Sequence, residues 1–357
     1  MSQVRDLLGF VFRAVVAGLA LAFVLLYLWP TLAQRMANGE SPAESAVSPA
    51  PASYADAVNR TAPAVVSLQT RTIQPQIIGE RALFRMQVDD GSGVLMSEDG
   101  YILTNHHVIG NAQKARVALW DGRVELANVV GSDPETDLAV LKIDQAGLPV
   151  APIPEDSTVR PGDVVLAIGN ALGLSHTVTM GIVSATGRND LRASLYEDYI
   201  QTDAAINVGN SGGALINTRG ELVGISTRNT VDAQNIAFAI PIGLALNVMN
   251  QIIDYGSVRR GWLGAFYSDI RPTVRNDTNV GIGVAQVIKD GPAWNAGIRQ
   301  GDIILSLDGE MVADAGQFLL AISRREPGSQ VELEVSRGSE QFQTYATLIQ
   351  QPPLAPQ

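Results

Sequence analysis

The chain has 357 residues, 46% of them apolar, and a formal net charge of −11 from 25 basic and 36 acidic side chains. That length admits two domains with real cores, and an acidic chain without a basic stripe is not built to bind nucleic acid. There is no cysteine, which excludes disulfides, thiolate metal sites and a cysteine nucleophile, and only His106, His107 and His176 are available for imidazole chemistry.

From Leu7 to Trp29 the only charged side chain is Arg13. A run of that kind reaches the roughly 20 apolar residues needed to cross a bilayer. The alternative, a cleaved signal peptide, has a shorter apolar core of about 7–15 residues. Tyr27 and Trp29 at the end of the run suit a membrane interface. Residues 1–30 therefore read as a cytoplasmic tip and an uncleaved transmembrane anchor, with Arg5 and Arg13 keeping the N-terminal side cytoplasmic. Residues 31–53, containing "NGESPAESAVSPAPAS", are rich in Ser, Pro and Ala without periodicity and read as a flexible tether.

From Tyr54 onward short apolar runs recur between turn signals, among them "AVVSLQT", "GSGVLM", "GYILTNHHVI", "LAVLKI", "VVLAIG" and "IAFAIP". Asp121-Gly122 and Arg219-Gly220 sit between such runs as hairpin turns. The spacing predicts an all-β barrel or sandwich of about 190 residues. "GLALNVMNQIIDYG" has helical spacing and closes this unit at Gly256; from Val258 a smaller β-plus-helix segment follows. "GNALG" after "VVLAI" lacks the G-x-G-x-x-G spacing of a nucleotide loop, and no paired-histidine motif predicts a metal.

The stretch "INVGNSGGAL" breaks an apolar pattern with Gly209, Asn210, Ser211, Gly212 and Gly213. This matches G-x-S-x-G, the nucleophile elbow of α/β-hydrolases, but those enzymes place their histidine after the serine. No histidine follows Ser211. The subtilisin order, Asp then His then Ser, does not suit an all-β pattern. The order His, Asp, Ser remains. His106 and His107 are the histidine candidates; in an extended strand they would face opposite sides, so only one can serve. Asp133, before Pro134, reads as a turn residue, whereas Asp137 opens the apolar run "LAVLKI". A carboxylate entering such a run is costly unless paired.

"TNHHVI", "DLAVLKI" and "GNSGGAL", in this order and spacing, resemble the HtrA family of trypsin-like serine proteases. The resemblance runs from Tyr54 to the C-terminus. It implies a mostly β fold: a trypsin-like double β-barrel protease domain over 54–256, one α+β PDZ domain over 257–350, and a tail over 351–357. Matched to T-N-x-H-V, the catalytic histidine is His107, with Asp137 and Ser211 completing the triad. Gly209, Asn210 and Ser211 then frame the oxyanion hole, with the N–H groups of Gly209 and Ser211 as donors. Asn210 stands where secreted digestive relatives carry an aspartate that pairs with a new N-terminal ammonium. Being neutral it cannot make that pair, so activation is expected to be conformational.

The strings "GWLG" and "DGPAWNAGIRQGDIILSLDG" resemble a PDZ domain. By that resemblance Trp262, Leu263 and Gly264 hold a peptide carboxylate. Ala265, Phe266 and Tyr267 add the peptide as a strand, and a helix around Phe318 to Ile322 closes the groove. Only residues 71–88 separate "SLQT" from "DDGSG", too few for the long regulatory loop of some soluble members. One anchor and one PDZ domain resemble the membrane-bound branch of the family. That branch implies a homotrimer on the bacterial inner membrane with its catalytic domain in the periplasm. It cuts a membrane anti-sigma factor in response to the C-termini of misfolded outer-membrane proteins. The loop "RNDLRASLYED" would be its sensor and Arg188 a regulatory residue touching the PDZ domain. No cofactor or metal is implied. A general periplasmic quality-control protease and a catalytically inactive peptide receptor are the alternative readings.

Overall fold

Alternating burial along the strands and two long covered runs set the architecture. The computed structural model describes residues 14–24, 29, 53–78, 81–170, 176–189, 196–207, 209–227, 235–270, 281–312 and 314–352, without the side chains of 73–78 and 81–85. Residues 1–52 and 53–357 form two separate units. In the first, residues 14–23 are helical with exposed side chains. Most of the expected anchor lies outside the described residues, and among those described no helix is long and apolar enough to cross a membrane.

The second unit begins with helix α1 (Ala55–Thr61). Six strands then close into a barrel: β1 (Val65–Ile78), β2 (Arg81–Leu95), β3 (Tyr101–Thr104), β4 (Lys114–Ala118), β5 (Val124–Asp133) and β6 (Leu138–Lys142), in the order β1-β2-β3-β6-β5-β4. A second barrel holds β7 (Val164–Gly169), β8 (Thr177–Arg188), β9 (Tyr199–Thr202), β10 (Ala214–Asn217), β11 (Leu222–Thr227) and β12 (Ala237–Pro241), ordered β10-β11-β12-β9-β8-β7. All neighbouring strands in both barrels are antiparallel. Closure leaves no sheet edge in either barrel.

β4 alternates, with Ala115 and Val117 inward and Lys114 and Arg116 outward, as one wet face requires. Leu138 to Leu141 of β6 and all of β11 are instead buried throughout. The reason is the helix that follows the second barrel, Ile242–Tyr255, which packs on the outside of β5, β6 and β11. With both faces covered, these strands read as continuous apolar runs. The helix presents Ile242, Ala245, Val248, Met249 and Ile252 at helical spacing and stops at Gly256, whose left-handed φ of 74° lets its N–H return to the Ile252 carbonyl.

The C-terminal part pairs β13 (Gly261–Trp262) with β20 (Ile349–Gln350). Its main sheet holds β14 (Ala265–Asp269), β15 (Ile282–Val287), β16 (Ile303–Leu307), β17 (Glu310–Met311), β18 (Gln330–Arg337) and β19 (Glu340–Thr347). The sheet runs β14-β15-β16-β18-β19, so β14 lies at an edge, and helix Ala315–Ser323 packs beside it. Leu263, Ile282, Ile304, Phe318, Leu333 and Val335 form a core of its own.

Arg260 ties this part to the first barrel. Its guanidinium, almost wholly buried, bonds both oxygens of Asp133, with Nη1 to Oδ1 at 2.9 Å, and reaches Glu135 at 3.2 Å. It also lies 4.5 Å over the Tyr196 ring. Gln351 closes the cluster, donating its N–H to the Arg260 carbonyl at 3.0 Å and its side-chain amide to Glu135 at 3.3 Å. The expectation that Asp133 is only a turn residue is corrected here. It ends β5 in a buried pair with an arginine 127 positions away, a partner that no local pattern announces. Burial raises the Glu135 carboxyl above the ordinary range, against the pull of Arg260. Arg260→Ala leaves buried Asp133 and half-buried Glu135 without a counter-charge and is expected to lower unfolding stability by about 3–5 kcal/mol in urea titrations. Arg260→Lys, which cannot bond both oxygens in a fork, should recover only part of that loss.

Candidate active site

Ser211 lies in the turn that leads into β10, and its hydroxyl has no hydrogen-bond partner among the described residues. The turn is closed by three backbone bonds: Asn210 N–H to Asn207 O at 3.0 Å, Gly213 N–H to Asn210 O at 2.9 Å, and Gly212 N–H to Ser226 O at 2.7 Å. The glycines answer to space as well as to conformation. Gly212 has φ +81°, and a Cβ there would sit 2.2 Å from the Ser92 carbonyl and 2.3 Å from Thr104 Oγ1.

These bonds decide which amides of the loop stay free. The Asn210 N–H is taken by Asn207, so Asn210 is not a free donor. Its side chain lies against Gly169, where a Cβ would come within 2.2 Å of Asn210 Oδ1. The N–H groups of Gly209 and Ser211 carry no partner among the described residues, and Gly209 holds φ +100°.

His106 and His107 are not in an extended strand, as expected, but in one helical turn, α2 (His106–Ile109), that begins after Asn105. Asp137 organises this turn. Its backbone is left-handed, with φ +57°, a conformation that aspartate tolerates better than most side chains. Its carbonyl accepts from the His106 N–H at 3.1 Å and from Asn105 Nδ2 at 3.0 Å. Its carboxylate accepts from the His107 N–H at 3.0 Å, from His107 Nδ1 at 2.7 Å and from Thr227 Oγ1 at 2.9 Å. Burial opposes the charge on Asp137, yet the bonds from His107 and Thr227 outweigh it and hold the carboxyl below its ordinary range. With Nδ1 donating to that carboxylate, the lone pair of the neutral His107 ring lies on Nε2. The His106 ring takes no part: its Nδ1 is buried without a partner among the described residues, and burial lowers its pKa.

In the C-terminal part Trp262 lies in β13 opposite Ile349. Leu263 and Gly264 follow as a loop whose carbonyls accept from Ala293 and Ile288, while their N–H groups bond to no described residue. β14 has its outer edge unpaired. Tyr267 meets Phe318 edge-on at 4.8 Å, and Phe266 is exposed. An open strand edge beside a helix, with free N–H groups at one end, suits an added peptide strand ending in a carboxylate. Arg188, expected to touch this part, instead donates Nε to Gln201 at 2.9 Å. Its neighbour makes the contact: the Asn189 amide bonds Asp314, the residue that caps helix Ala315–Ser323. Residues 190–195 of the expected sensor loop lie outside the described residues.

Residues 91–225 match the trypsin-like peptidase domain family and residues 261–348 the PDZ domain family. The serine endoprotease DegS of Escherichia coli K12 is 41% identical over 352 residues, 95% of this chain and 98% of its own length. The chain belongs to the HtrA family of serine proteases. DegS of Haemophilus influenzae is 40% identical over 334 residues, covering 91% of this chain and 94% of its own. A probable periplasmic DegP-like endoprotease of Hahella chejuensis is 41% identical over 269 residues, but that match covers only 57% of the longer relative. The solved structure of the HtrA-type protease AlgW with a decapeptide is 44% identical, with a TM-score of 0.73, and covers 85% of this chain and all of that one. This HtrA chain is thus a DegS-like serine endoprotease with one PDZ domain.

Sequence reasoning did not find Thr227. It ends an apolar strand of the second barrel, and nothing in "GISTRN" marks it as a partner of Asp137, 90 positions earlier. Because Asp137 is held below its ordinary range, the stability it contributes is present above its unfolded pKa and lost as pH falls through its folded pKa. Thr227→Val should destabilise the protein by about 1.5–3 kcal/mol near pH 7, the scale for a bond to a charged group. Chemical denaturation across a pH series should show the deficit shrinking in acid, as Asp137 becomes protonated in both proteins.

Proposed function

We propose that His107, Asp137 and Ser211 form the catalytic triad of a peptide-regulated endoprotease, with the N–H groups of Gly209 and Ser211 as oxyanion donors. The observation that carries the reading is the 2.7 Å bond from His107 Nδ1 to Asp137 Oδ2. It fixes the imidazole tautomer needed to take a proton from Ser211. Ser211 Oγ attacks the scissile carbonyl while its proton passes to His107 Nε2. His107 returns the proton to the leaving amine, and water then repeats the sequence on the acyl-enzyme. The two backbone donors act on charge that develops only in the transition state.

The protease domain spans residues 54–256 and the PDZ domain 257–350, following the tether and the anchor of residues 1–30. The chain sits in the bacterial inner membrane as a homotrimer facing the periplasm. Misfolded outer-membrane proteins present C-termini to Leu263, Gly264 and the β14 edge, and the chain then cleaves a membrane anti-sigma factor. What supports this is similarity to DegS along almost the whole chain, together with relatives described as periplasmic. The peptide signal is read at the end of β8, where Arg188 bonds Gln201 and Asn189 meets the helix beside the groove.

The test is fluorophosphonate labelling of the full chain with and without a hydrophobic peptide bearing a free C-terminus. The peptide should speed labelling, its C-terminal amide should not, and Ser211→Ala and His107→Ala should abolish the signal. Fast labelling without peptide would instead favour a general quality-control protease. For the anchor, membranes washed with alkaline carbonate should retain the chain; release of a shortened soluble form would mean a cleaved signal.

A further inference from the structure

Ser92 lies in β2, between Gly91 and Gly93, and is wholly buried. All of its polar groups are used. Its hydroxyl donates to the Gly209 carbonyl at 2.6 Å and accepts from the Asn170 N–H at 2.8 Å. Its own N–H donates to the Ser211 carbonyl at 2.8 Å, and its carbonyl accepts from Thr104 Oγ1 at 2.7 Å. A single first-barrel residue therefore grips the nucleophile loop at Gly209 and at Ser211, the two positions that offer free N–H groups, and passes over Asn210.

We propose that Ser92 is a positioning residue that holds the Ser211 oxyanion donor in place, an inference that rests on the reading of Ser211 as nucleophile. The peptide plane between Asn210 and Ser211 carries the Ser211 N–H, and its carbonyl end is fixed by Gly213. Ser92 fixes the carbonyls on either side of that plane. With both flanks held, the Ser211 N–H cannot turn without breaking a bond inside the protein. The Gly209 carbonyl shares its peptide plane with the Asn210 N–H, and beside a glycine at φ +100° that plane is held by the bond its carbonyl accepts. The Ser92 hydroxyl supplies that bond and ties the loop to Asn170 at the end of β7. The approach is close: a Cβ on Gly91 would lie 3.3 Å from the Ser211 carbonyl and 2.6 Å from Val108 Cγ1. The small neighbours of Ser92 let the strand come near enough to bond the loop.

Ser92→Ala removes the hydroxyl bonds and leaves the backbone bond to Ser211. The full chain, saturated with a hydrophobic carboxyl-terminal peptide, is labelled with a fluorophosphonate; the rate constant and the end point are read separately. A purely structural role would lower the fraction of chains that label and leave the rate constant of the rest unchanged. A positioning role keeps the end point and lowers the rate constant, by about 100-fold if the donor is displaced by about 1 Å. Ser92→Cys, with a similar shape and a weak donor, should fall between, and it decides the matter if the alanine variant does not fold. A rate constant within about threefold of the parent in the alanine variant, or in the cysteine variant where alanine does not fold, overturns the proposal. Failure of the parent to label at Ser211 is a different result and removes the triad reading instead.

Discussion

The carboxylate of Asp137 is the joint on which the two barrels meet. One oxygen takes the His107 backbone N–H; the other takes His107 Nδ1 from the first barrel and Thr227 Oγ1 from the second. Its carbonyl meanwhile holds Asn105 and the His106 N–H. A buried charge must be compensated by such bonds or it will neutralise. Here the compensation itself fixes the orientation of the imidazole. The left-handed backbone at Asp137 turns carbonyl and carboxylate toward the same helical turn, so local strain and electrostatic demand are met together.

The nucleophile loop shows the same economy in its steric form. Its glycines are the price of bringing the second barrel's loop against a first-barrel strand at van der Waals limits. Gly212 faces Ser92 and Thr104, and on the first-barrel strand Gly91 faces the Ser211 carbonyl. The backbone bonds of the loop take up the N–H groups of Asn210, Gly212 and Gly213 and leave those of Gly209 and Ser211. Which amides remain free is a consequence of the turn, and it decides where negative charge can be received.

Between the barrels and the C-terminal part the contacts are both apolar and polar: Leu320 of helix Ala315–Ser323 joins the core of the barrels, with Leu319 packed against it, and specific polar bonds surround them. Arg260 stands immediately before β13 and the loop of Leu263 and Gly264, and it bonds a carboxylate four positions before Asp137. Asn189, at the end of β8, bonds the cap of the helix beside the β14 edge. Arg324, just after that helix, also pairs with Asp198 at 3.5 Å, so the C-terminal part is bonded at several places to the segments around Asp137 and β8.

Much of the fold was legible locally. Alternation and turn pairs marked the strands, and the spacing in "GLALNVMNQIIDYG" marked the helix that ends at Gly256. The three short motifs carried the histidine, aspartate and serine by type and order. The extended strand expected around His106 and His107 was wrong, because four residues cannot reveal a helical turn imposed by a carboxylate 30 positions away. Asp133 read as a turn residue for the same reason: its partner is chosen by chain closure. By itself the sequence determined which residues can do chemistry, where strands and turns fall, and that the chain resembles the HtrA family. Only the tertiary structure decided how these residues meet: that Asp137 holds both the backbone and the ring of His107, that Thr227 joins it from the second barrel, and that Ser92 bonds the loop on both sides of Asn210. Hydrogen bonds between residues far apart in sequence leave no periodicity, so they become visible only when both barrels are closed.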